Sequence, residues 1–243
     1  ALKKAQELGF AEANPEFDVE GKDAAQKLVI LAELAFNSRI SDEIFTWGIT
    51  KISANDIKYA EQLGYKIKLL AIGKKENGEI ELRVHPTMIP KNHELASVKN
   101  EFNAIYTVAE NTGKTMLYGK GAGQLPTATV VLGDIIDAAY NKKQTFLMEE
   151  AKIKDINKIT SRYYLRFNVE DKPGVLAKIA KILGDNQISI SGVEQKEMNK
   201  SIVPIVMITH KAVEDNMMKA IKQANGCDFV KEPGVVIRIE DIG

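Results

Sequence analysis

Residues 12–27 concentrate side chains that could bind a cation or move a proton. The carboxylates of this stretch are Glu12, Glu16, Asp18, Glu20 and Asp23, and its only cations are Lys22 and Lys27. Asp23 lies four residues before Lys27, so a helix would place the two on one face in the favourable acid-before-base order. The carboxylates would attract a ligand that carries an ammonium group.

Two interpretations of this acidic stretch are open at the level of the residues. It is either a solvated helix entry, in which carboxylates favour the N-terminal end of the helix dipole, or a polar cluster at the rim of a pocket. The segment after Lys27 is apolar nearly all round, which predicts a buried helix and makes an unpaired lysine there costly. Desolvation would lower the pKa of such a lysine, so that it could exchange a proton near neutral pH. The neighbouring carboxylates oppose that change, because they raise the pKa of the lysine.

Two glycine-containing loops could meet a ligand through their backbone. Gly119, Gly121 and Gly123 precede a predicted helix, whose first N–H groups are free to bind an anion or a polar ring. This run matches neither the dinucleotide fingerprint GxGxxG nor the phosphate-binding motif GxxxxGK[ST], and a tight turn explains it equally well. The second loop, Asp171-Lys172-Pro173-Gly174-Val175, could hold a carboxylate at a helix start or be an ordinary turn.

The other chemically versatile residues carry weaker signals. Cys227 is the only cysteine, which excludes an internal disulfide and a multi-cysteine zinc site. His85, His93 and His210 have no partners at metal-ligand spacing, so we expect surface or strand-end histidines and no metal. We expect Trp47 in the core or at an interface rather than stacked on a ligand.

Hydrophobic patterning predicts an α+β first unit with a mostly antiparallel sheet. The predicted helices are 23–36, 55–63 and 128–140, and the predicted strands are 66–74, 79–84, 102–109 and 114–118. Ser53 and Asn55 are candidate caps of the second helix. Asn77-Gly78 is a type I′ hairpin signal, and His85-Pro86 is expected to end the strand that follows it.

The segment from Tyr163 onward has the pattern of a second unit. Its predicted strands are 163–169, 188–195, 202–209 and 235–239, and its predicted helices are 175–183 and 213–224. That βαββαβ order is typical of a ferredoxin-like sandwich. We therefore divide the chain into a first unit at 1–142, a polar linker at 143–160 and a second unit at 161–243.

The composition is that of a neutral globular protein. The 243 residues include 33 basic and 33 acidic side chains, so no excess positive charge is available for nucleic acid or an anionic membrane surface. The longest apolar runs, such as Leu28–Ala32, are too short to span a bilayer, and a single cysteine fits a reducing cytoplasm. The chain begins inside a helical pattern without a cap, which predicts a missing upstream segment.

Together these segments resemble homoserine dehydrogenase over nearly the whole chain. The residues that carry the resemblance are Leu8-Gly9-Phe10-Ala11-Glu12, Asp18-Val19-Glu20-Gly21-Lys22-Asp23-Ala24-Ala25-Gln26-Lys27-Leu28, Gly48-Ile49-Thr50, Leu63-Gly64-Tyr65-Lys66-Ile67-Lys68-Leu69 and Gly119-Lys120-Gly121-Ala122-Gly123 with Pro126-Thr127-Ala128. The resemblance implies a parent enzyme that interconverts L-aspartate 4-semialdehyde and L-homoserine with NAD(P)H. The family's N-terminal Rossmann domain, which holds most of the cofactor, has no counterpart in this sequence, so we expect the chain alone to be inactive.

The resemblance also implies roles for the candidate residues. Lys27 matches the family's proton donor, and Asp23 and Asp18 match acidic residues that line the site and orient Lys27. Glu12 matches the carboxylate that pairs with the substrate ammonium group. The loop that reaches the nicotinamide end of the cofactor matches Gly121, Ala122 and Gly123.

The final unit resembles an ACT domain, which implies L-threonine as an effector. The expected effector-binding residues are Asp171, Pro173, Gly174, Val175 and Ile188. We expect a homodimer or higher homo-oligomer formed through the catalytic sheet, with a second ACT unit completing each effector site. Two alternatives are a non-catalytic dimer that senses an amino acid and a plain dimerisation scaffold.

Overall fold

The computed structural model of the chain describes residues 14–140, 148–195 and 201–242. The helices of the first unit are α1 (Glu16–Val19), α2 (Lys22–Phe36), α3 (Ala54–Gln62) and α4 (Gln124–Ala139), and its strands are β1 (Ser38–Arg39), β2 (Phe45–Thr46), β3 (Tyr65–Glu76), β4 (Glu79–Pro90), β5 (Phe102–Ala109) and β6 (Gly113–Lys120). The later elements are β7 (Glu149–Glu150), β8 (Thr160–Glu170), α5 (Val175–Asp185), β9 (Ile190–Gln195), β10 (Ile202–Thr209), β11 (Ala212–Val213), α6 (Glu214–Asn225) and β12 (Val235–Ile239). Short 3₁₀ helices occupy Glu94–Ser97 and Ile156–Lys158.

The β3–β4 hairpin is the largest local structure of the first unit. The two strands pair antiparallel from Tyr65 opposite Pro90 to Glu76 opposite Glu79. Asn77 and Gly78 have φ angles of 52° and 78°, as a type I′ turn requires, which confirms the predicted hairpin.

β4 continues beyond the predicted end at Val84, through His85-Pro86 to Pro90. One edge of β4 pairs with β3 throughout, whereas the other edge pairs with β2 before Pro86 and with β12 after it. The carbonyls of Val84 and Met88 accept hydrogen bonds across that second edge, so the nitrogen of Pro86 faces the gap between the two neighbours. The strand tolerates this proline because no ladder hydrogen bond is lost there.

The main sheet runs through both units. Its strand order is β2-β4-β12-β8-β10-β9, with β3 on the other edge of β4. β12 pairs in parallel with β4, through Arg238 opposite Thr87 and Ile239 opposite Met88. The order β12-β8-β10-β9, together with α5 and α6, confirms the ferredoxin-like second unit, and most strand pairs are antiparallel as predicted.

Both faces of the second unit's sheet are covered. Leu165 and Phe167 of β8 face a core shared with α5 and α6. Tyr164 points to the opposite face and packs in a second cluster with Ala60 of α3 and Met88 of β4. The two units therefore share an apolar interface in addition to the continuous sheet.

Part of the predicted linker belongs structurally to the first unit. β7 pairs in parallel with β1, and Ile80 exchanges backbone hydrogen bonds with Lys152 and Lys154. The side chain of Ile153 packs against the cluster beneath α2, which explains why this polar stretch adds to the sheet. Residues 141–147 lie outside the described residues.

The prediction that α2 is a buried helix is wrong for the described chain. Only Leu28 and Ala32 of this helix are buried, because one face alone packs on β3 and β4. Ile30, Leu31 and Leu34 lie away from that face and are exposed.

α4 begins at Gln124, before the predicted start at residue 128. Gly123 is its N-cap residue, and Pro126 lies in the first turn, where a missing N–H group costs nothing. α4 has no buried residue, and β5 and β6 pair only with each other among the described strands. No described helix is both long enough and apolar enough to cross a bilayer.

Candidate active site and effector loop

The start of α2 is fixed by a glycine against the sheet. Gly21 has a φ of 79° and is the N-cap residue of α2. A Cβ atom at this position would lie 3.2 Å from Val84 Cγ1 and 3.4 Å from Thr46 Cγ2, so the turn packs directly on β2 and β4. This contact sets the position of the two candidate catalytic residues that follow.

Asp23 and Lys27 meet on one face of α2, as their spacing predicts. Lys27 Nζ lies 2.5 Å from Asp23 Oδ2, and the exposed fractions of the two side chains are 56% and 36%. The lysine is therefore solvent-accessible rather than buried, because its side of α2 does not face the sheet. An exposed helical pair of this kind contributes only a few tenths of a kcal/mol to stability, about 0.3–0.5.

The other members of the acidic cluster are placed less closely. Asp18 lies exposed on α1, and no side-chain hydrogen bond among the described residues joins it to Asp23 or Lys27. Glu16 pairs instead with Lys22 at 2.9 Å, and the hydrogen bond from Lys22 lowers the pKa of Glu16. Glu12 lies outside the described residues, so convergence of the cluster on one cleft stays a prediction.

The glycine loop connects β6 to α4. A Cβ atom on Gly121 would lie 1.7 Å from Asn103 Nδ2 and 2.4 Å from its Cγ, so a side chain at this position would have to displace that of Asn103 on β5. Gly123 has a φ of 123°, a conformation that L residues rarely adopt. The amides of Gln124 and Leu125 have no intrahelical acceptor, and Leu125 is 81% exposed, so the first turn of α4 is open to a ligand. No described hydrogen bond joins Ala122 or its neighbours to α2.

A cavity of about 360 Å³ lies at the second loop, between β8 and α5. It is lined by residues 171–176 together with Val169, Glu170, Gln195 and Ile205, and the lining includes the predicted residues Asp171, Pro173, Gly174 and Val175. The structure places Ile188 elsewhere, in the apolar core at 3% exposure.

The charge at the mouth of this cavity is largely neutralised. Glu170 binds Lys172 and Lys231, each at 2.6 Å. Hydrogen bonds from Lys172 and Lys231 lower the pKa of Glu170 to about 2, so it is ionised at neutral pH. Asp171 makes no side-chain hydrogen bond among the described residues, which leaves its carboxylate accessible to a ligand.

A buried ionic network joins the two units, and no sequence pattern predicted it. Arg83 binds Glu81 at 2.8 Å and Glu240 at 2.7 Å, and Arg238 binds Glu214 through its Nε atom at 2.9 Å. The available signal was the period-two run of polar residues along β4, namely Glu81, Arg83, His85 and Thr87. Such a run predicts one polar strand face, but it does not show that β12 and α6 would cover it.

The expectation that His85 lies at the surface is wrong. His85 is fully buried and its Nε2 atom lies 2.6 Å from Arg83 Nη1. Burial lowers the pKa of His85 well below its ordinary value, and the charges of Arg238 and Arg83 lower it further, so His85 is neutral. Trp47 lies beside this network, with the guanidinium of Arg238 5.8 Å from its ring centre, which agrees with the expected interface position.

The ferredoxin-like unit belongs to a class of small regulatory domains. The ACT domain profile matches residues 163–226, which include β8, α5 and the loop beside the cavity. The homoserine dehydrogenase family profile matches residues 1–136, more than half of the chain. The chain therefore belongs to the homoserine dehydrogenase family.

Curated relatives and solved structures agree with this assignment. The chain is 41% identical to homoserine dehydrogenase from Neisseria gonorrhoeae and covers 59% of that protein, and it is 41% identical to that of Corynebacterium glutamicum and covers 56% of it. In both cases 99% of this chain is covered. The crystal structure of a homoserine dehydrogenase from Thiobacillus denitrificans superposes on the whole chain with a TM-score of 0.88 at 40% identity, and the chain covers 58% of it. The chain thus spans a little under three fifths of the length of the relatives it matches.

Proposed function

We propose that this chain carries the substrate-binding, proton-transfer and regulatory parts of an enzyme that interconverts L-aspartate 4-semialdehyde and L-homoserine. The observation that carries the proposal is the accessible Asp23–Lys27 pair at a glycine-fixed helix start, in a chain of the homoserine dehydrogenase family. The surrounding carboxylates suit a substrate with an ammonium group.

In this mechanism Lys27 moves the proton. During reduction its ammonium group donates a proton to the aldehyde oxygen, and during oxidation its amine accepts the proton of the homoserine hydroxyl. Asp23 holds Nζ of Lys27 at 2.5 Å and orients it toward the reacting oxygen. Glu12 and Asp18 bind the substrate ammonium group, which keeps the aldehyde at a fixed distance from Lys27.

The glycine loop fits one polar end of a dinucleotide cofactor. Gly121 and Gly123 keep side chains away from the loop, and the open amides of Gln124 and Leu125 can donate to a carboxamide or a phosphate. When bound, NAD(P)H supplies the hydride. We expect most of the cofactor to be held outside this chain, since the sequence contains no GxGxxG fingerprint.

The isolated chain should therefore show no measurable oxidation of NADPH in the presence of aspartate semialdehyde. The reason is that nothing in the sequence positions the adenosine half of the cofactor, and catalysis needs both reactants in a fixed geometry. A steady-state absorbance assay measures this. Turnover above that of the Lys27→Ala form of the same chain would contradict the expectation.

We further infer that the cavity beside residues 171–175 binds L-threonine. The amides of Leu176 and Ala177 lie in the first turn of α5 without intrahelical acceptors and can bind the carboxylate. Asp171 is the available carboxylate for the ammonium group, since both oxygens of Glu170 are engaged by lysines. β9 has an unpaired edge among the described strands, so a second ACT unit can add there and complete the site.

Calorimetric titration of the chain with L-threonine should release heat, while isoleucine and methionine serve as chemical controls. Gly174→Val should abolish the signal, because Gly174 has a φ of 85° and a β-branched residue there would distort the loop. Gly184→Ala, at an open position in the same helix, is the matched control and should bind normally. Unchanged heat in Gly174→Val would place the threonine site elsewhere.

The non-catalytic alternative keeps only this second site. An amino-acid sensor would bind threonine but would not bind homoserine near Lys27. Both hypotheses, the enzyme and the sensor, predict threonine binding at residues 171–175. Homoserine binding at α2 therefore distinguishes them.

The chain should form a dimer through its first unit. β3 has no strand on its outer edge among the described residues, and Val108, Leu117 and Ile135 are each 59–65% exposed. Burying such apolar side chains in a twofold interface is favourable. Light scattering at micromolar concentration should report twice the chain mass. Leu117→Lys should lower the measured mass more than the control Ile57→Lys on α3. A monomeric wild-type chain would contradict this proposal.

A further inference from the structure

A backbone contact joins residues 19–21, the acidic turn before α2, to the segment after β2, residues 48–53. The Ile49 amide donates a hydrogen bond of 2.8 Å to the Val19 carbonyl. Gly48 makes this contact possible, because a Cβ atom there would lie 2.3 Å from the Val19 oxygen and 2.5 Å from Glu20 Cα. Both neighbours are backbone atoms, so neither can move away at low cost, and the segment 48–53 and the turn before α2 are held together.

The other end of the segment 48–53 is the cap of α3. Ser53 Oγ accepts a hydrogen bond from the Asp56 amide, and the Asp56 carboxylate accepts one from the Ser53 amide at 3.1 Å. This capping box fixes the direction in which the chain enters α3. The Ile52 amide also bonds to the Ile49 carbonyl at 3.0 Å, which makes the segment compact.

Asp56 binds the ACT domain as well as its own helix. Its Oδ1 atom accepts hydrogen bonds from Arg166 Nε at 2.7 Å and from the Tyr164 hydroxyl at 3.1 Å, and its Oδ2 atom accepts one from Arg166 Nη2 at 3.1 Å. Asp56 is fully buried and Arg166 is 9% exposed. Burial alone would raise the pKa of Asp56, but hydrogen bonds from Arg166 and Ser53 and the charge of Arg166 outweigh it and lower the pKa, so the pair is ionic.

Arg166 lies on β8, a few residues before the loop at residues 171–175 that borders the cavity. Its Nη1 atom donates to Asn168 Oδ1 at 3.2 Å, and the next two residues, Val169 and Glu170, line the cavity. Few contacts therefore separate the cavity from the acidic turn.

We propose that Arg166 of the ACT domain is a positioning residue for the acidic turn before α2, and that it acts through Asp56, the α3 cap and Gly48. Each link is a hydrogen bond or a close backbone contact between the cavity strand and the turn. The importance of this route for catalysis rests on the function proposed above, whereas the structural coupling does not. A shift of β8 on effector binding would move Asp56 and the α3 cap, and it would weaken the hydrogen bond from the Ile49 amide to the Val19 carbonyl. The turn before α2 would then shift and displace Asp23 and Lys27.

Hydrogen exchange of the Ile49 amide tests the route without any assay of activity. Arg166→Gln removes the charge that binds Asp56, and it should speed exchange at Ile49 at least tenfold under conditions where local opening governs the rate. The amide of Trp47, which bonds to the Val84 carbonyl at 2.8 Å, should stay protected. Arg162→Gln is the matched control, because Arg162 lies on the same strand and also bonds to the first unit but does not touch the α3 cap.

Selective loss of protection at Ile49 in Arg166→Gln, absent in Arg162→Gln, would support the proposal. Unchanged exchange at Ile49, or equal acceleration at Ile49 and Trp47, would overturn it, because the second result indicates general destabilisation. If Arg166→Gln does not fold, Ser53→Ala provides a milder break in the same route. It removes one capping hydroxyl, and the same selective acceleration at Ile49 is expected, with its absence again contradicting the proposal.

Discussion

Replacing Lys27 by alanine in the complete enzyme should lower kcat by about 10²–10⁴-fold, the usual contribution of a general acid. Asp23 hydrogen-bonds no other amine among the described residues, so we expect the variant to lack the proposed proton donor of the aldehyde oxygen. The KM for the substrate should change less than kcat, because the proposed partners of the substrate ammonium group are carboxylates rather than Lys27. Steady-state kinetics in both directions measure this.

Lys22→Ala is the matched control for this experiment. Lys22 lies on the same helix, its side chain is 54% exposed against 56% for Lys27, and it too has a carboxylate partner, Glu16. Its removal should leave kcat within about twofold, since surface ion pairs contribute little. A similar loss in both variants, or an active Lys27→Ala enzyme, would remove Lys27 from the mechanism.

Replacing Glu214 by alanine should destabilise the fold by about 3–5 kcal/mol, since it leaves Arg238 charged and buried without its partner. Glu214 and Arg238 are each 2% exposed, and Glu214 also accepts a hydrogen bond of 2.8 Å from the Tyr163 hydroxyl. Urea denaturation followed by Trp47 fluorescence measures the loss, because the ring of Trp47 lies against Arg238.

Asp215 provides the control for the stability measurement. It is the next residue of α6 and pairs with Lys219 at the surface, with a side chain 48% exposed. Asp215→Ala should cost no more than about 0.5 kcal/mol. Comparable losses at the two positions would show that the buried network is not a stabilising element of the interface.

Local signals explain why much of the fold could be predicted from sequence. Asn77-Gly78 fixes its hairpin because both residues adopt positive φ angles readily. Ser53 was a correct cap candidate because the capping box lies within four consecutive residues. The Asp23–Lys27 contact follows from helical geometry alone.

The features that escaped prediction depend on contacts between distant segments. Pro86 was expected to end β4, yet the strand continues because its second neighbour changes from β2 to β12 at that position. His85 is buried with its ring beside Phe45 of β2, and Arg238 of β12 is close enough for its charge to lower the pKa of His85. The partner of Asp56 is Arg166, which is 110 positions away in the chain, and no local pattern indicates that pairing.

The interface explains how the two units are held in one arrangement. α3 covers the face of the ACT sheet that its own helices leave free, and β4 occupies the β12 edge. Within the ACT strands β12-β8-β10-β9, the described edge without a strand partner is then that of β9, where a second ACT unit is expected to add. The ACT unit therefore contacts the first unit both through the sheet and through α3.

An NMR titration of the ¹⁵N-labelled chain, first with L-homoserine and then with L-threonine, tests the proposed substrate site most directly. Homoserine should shift the amide signals around Asp18, Asp23 and Lys27, while threonine should shift those of residues 171–176. Homoserine shifts confined to the effector loop, with the signals of α2 unchanged, would contradict the assignment of the substrate site to this helix.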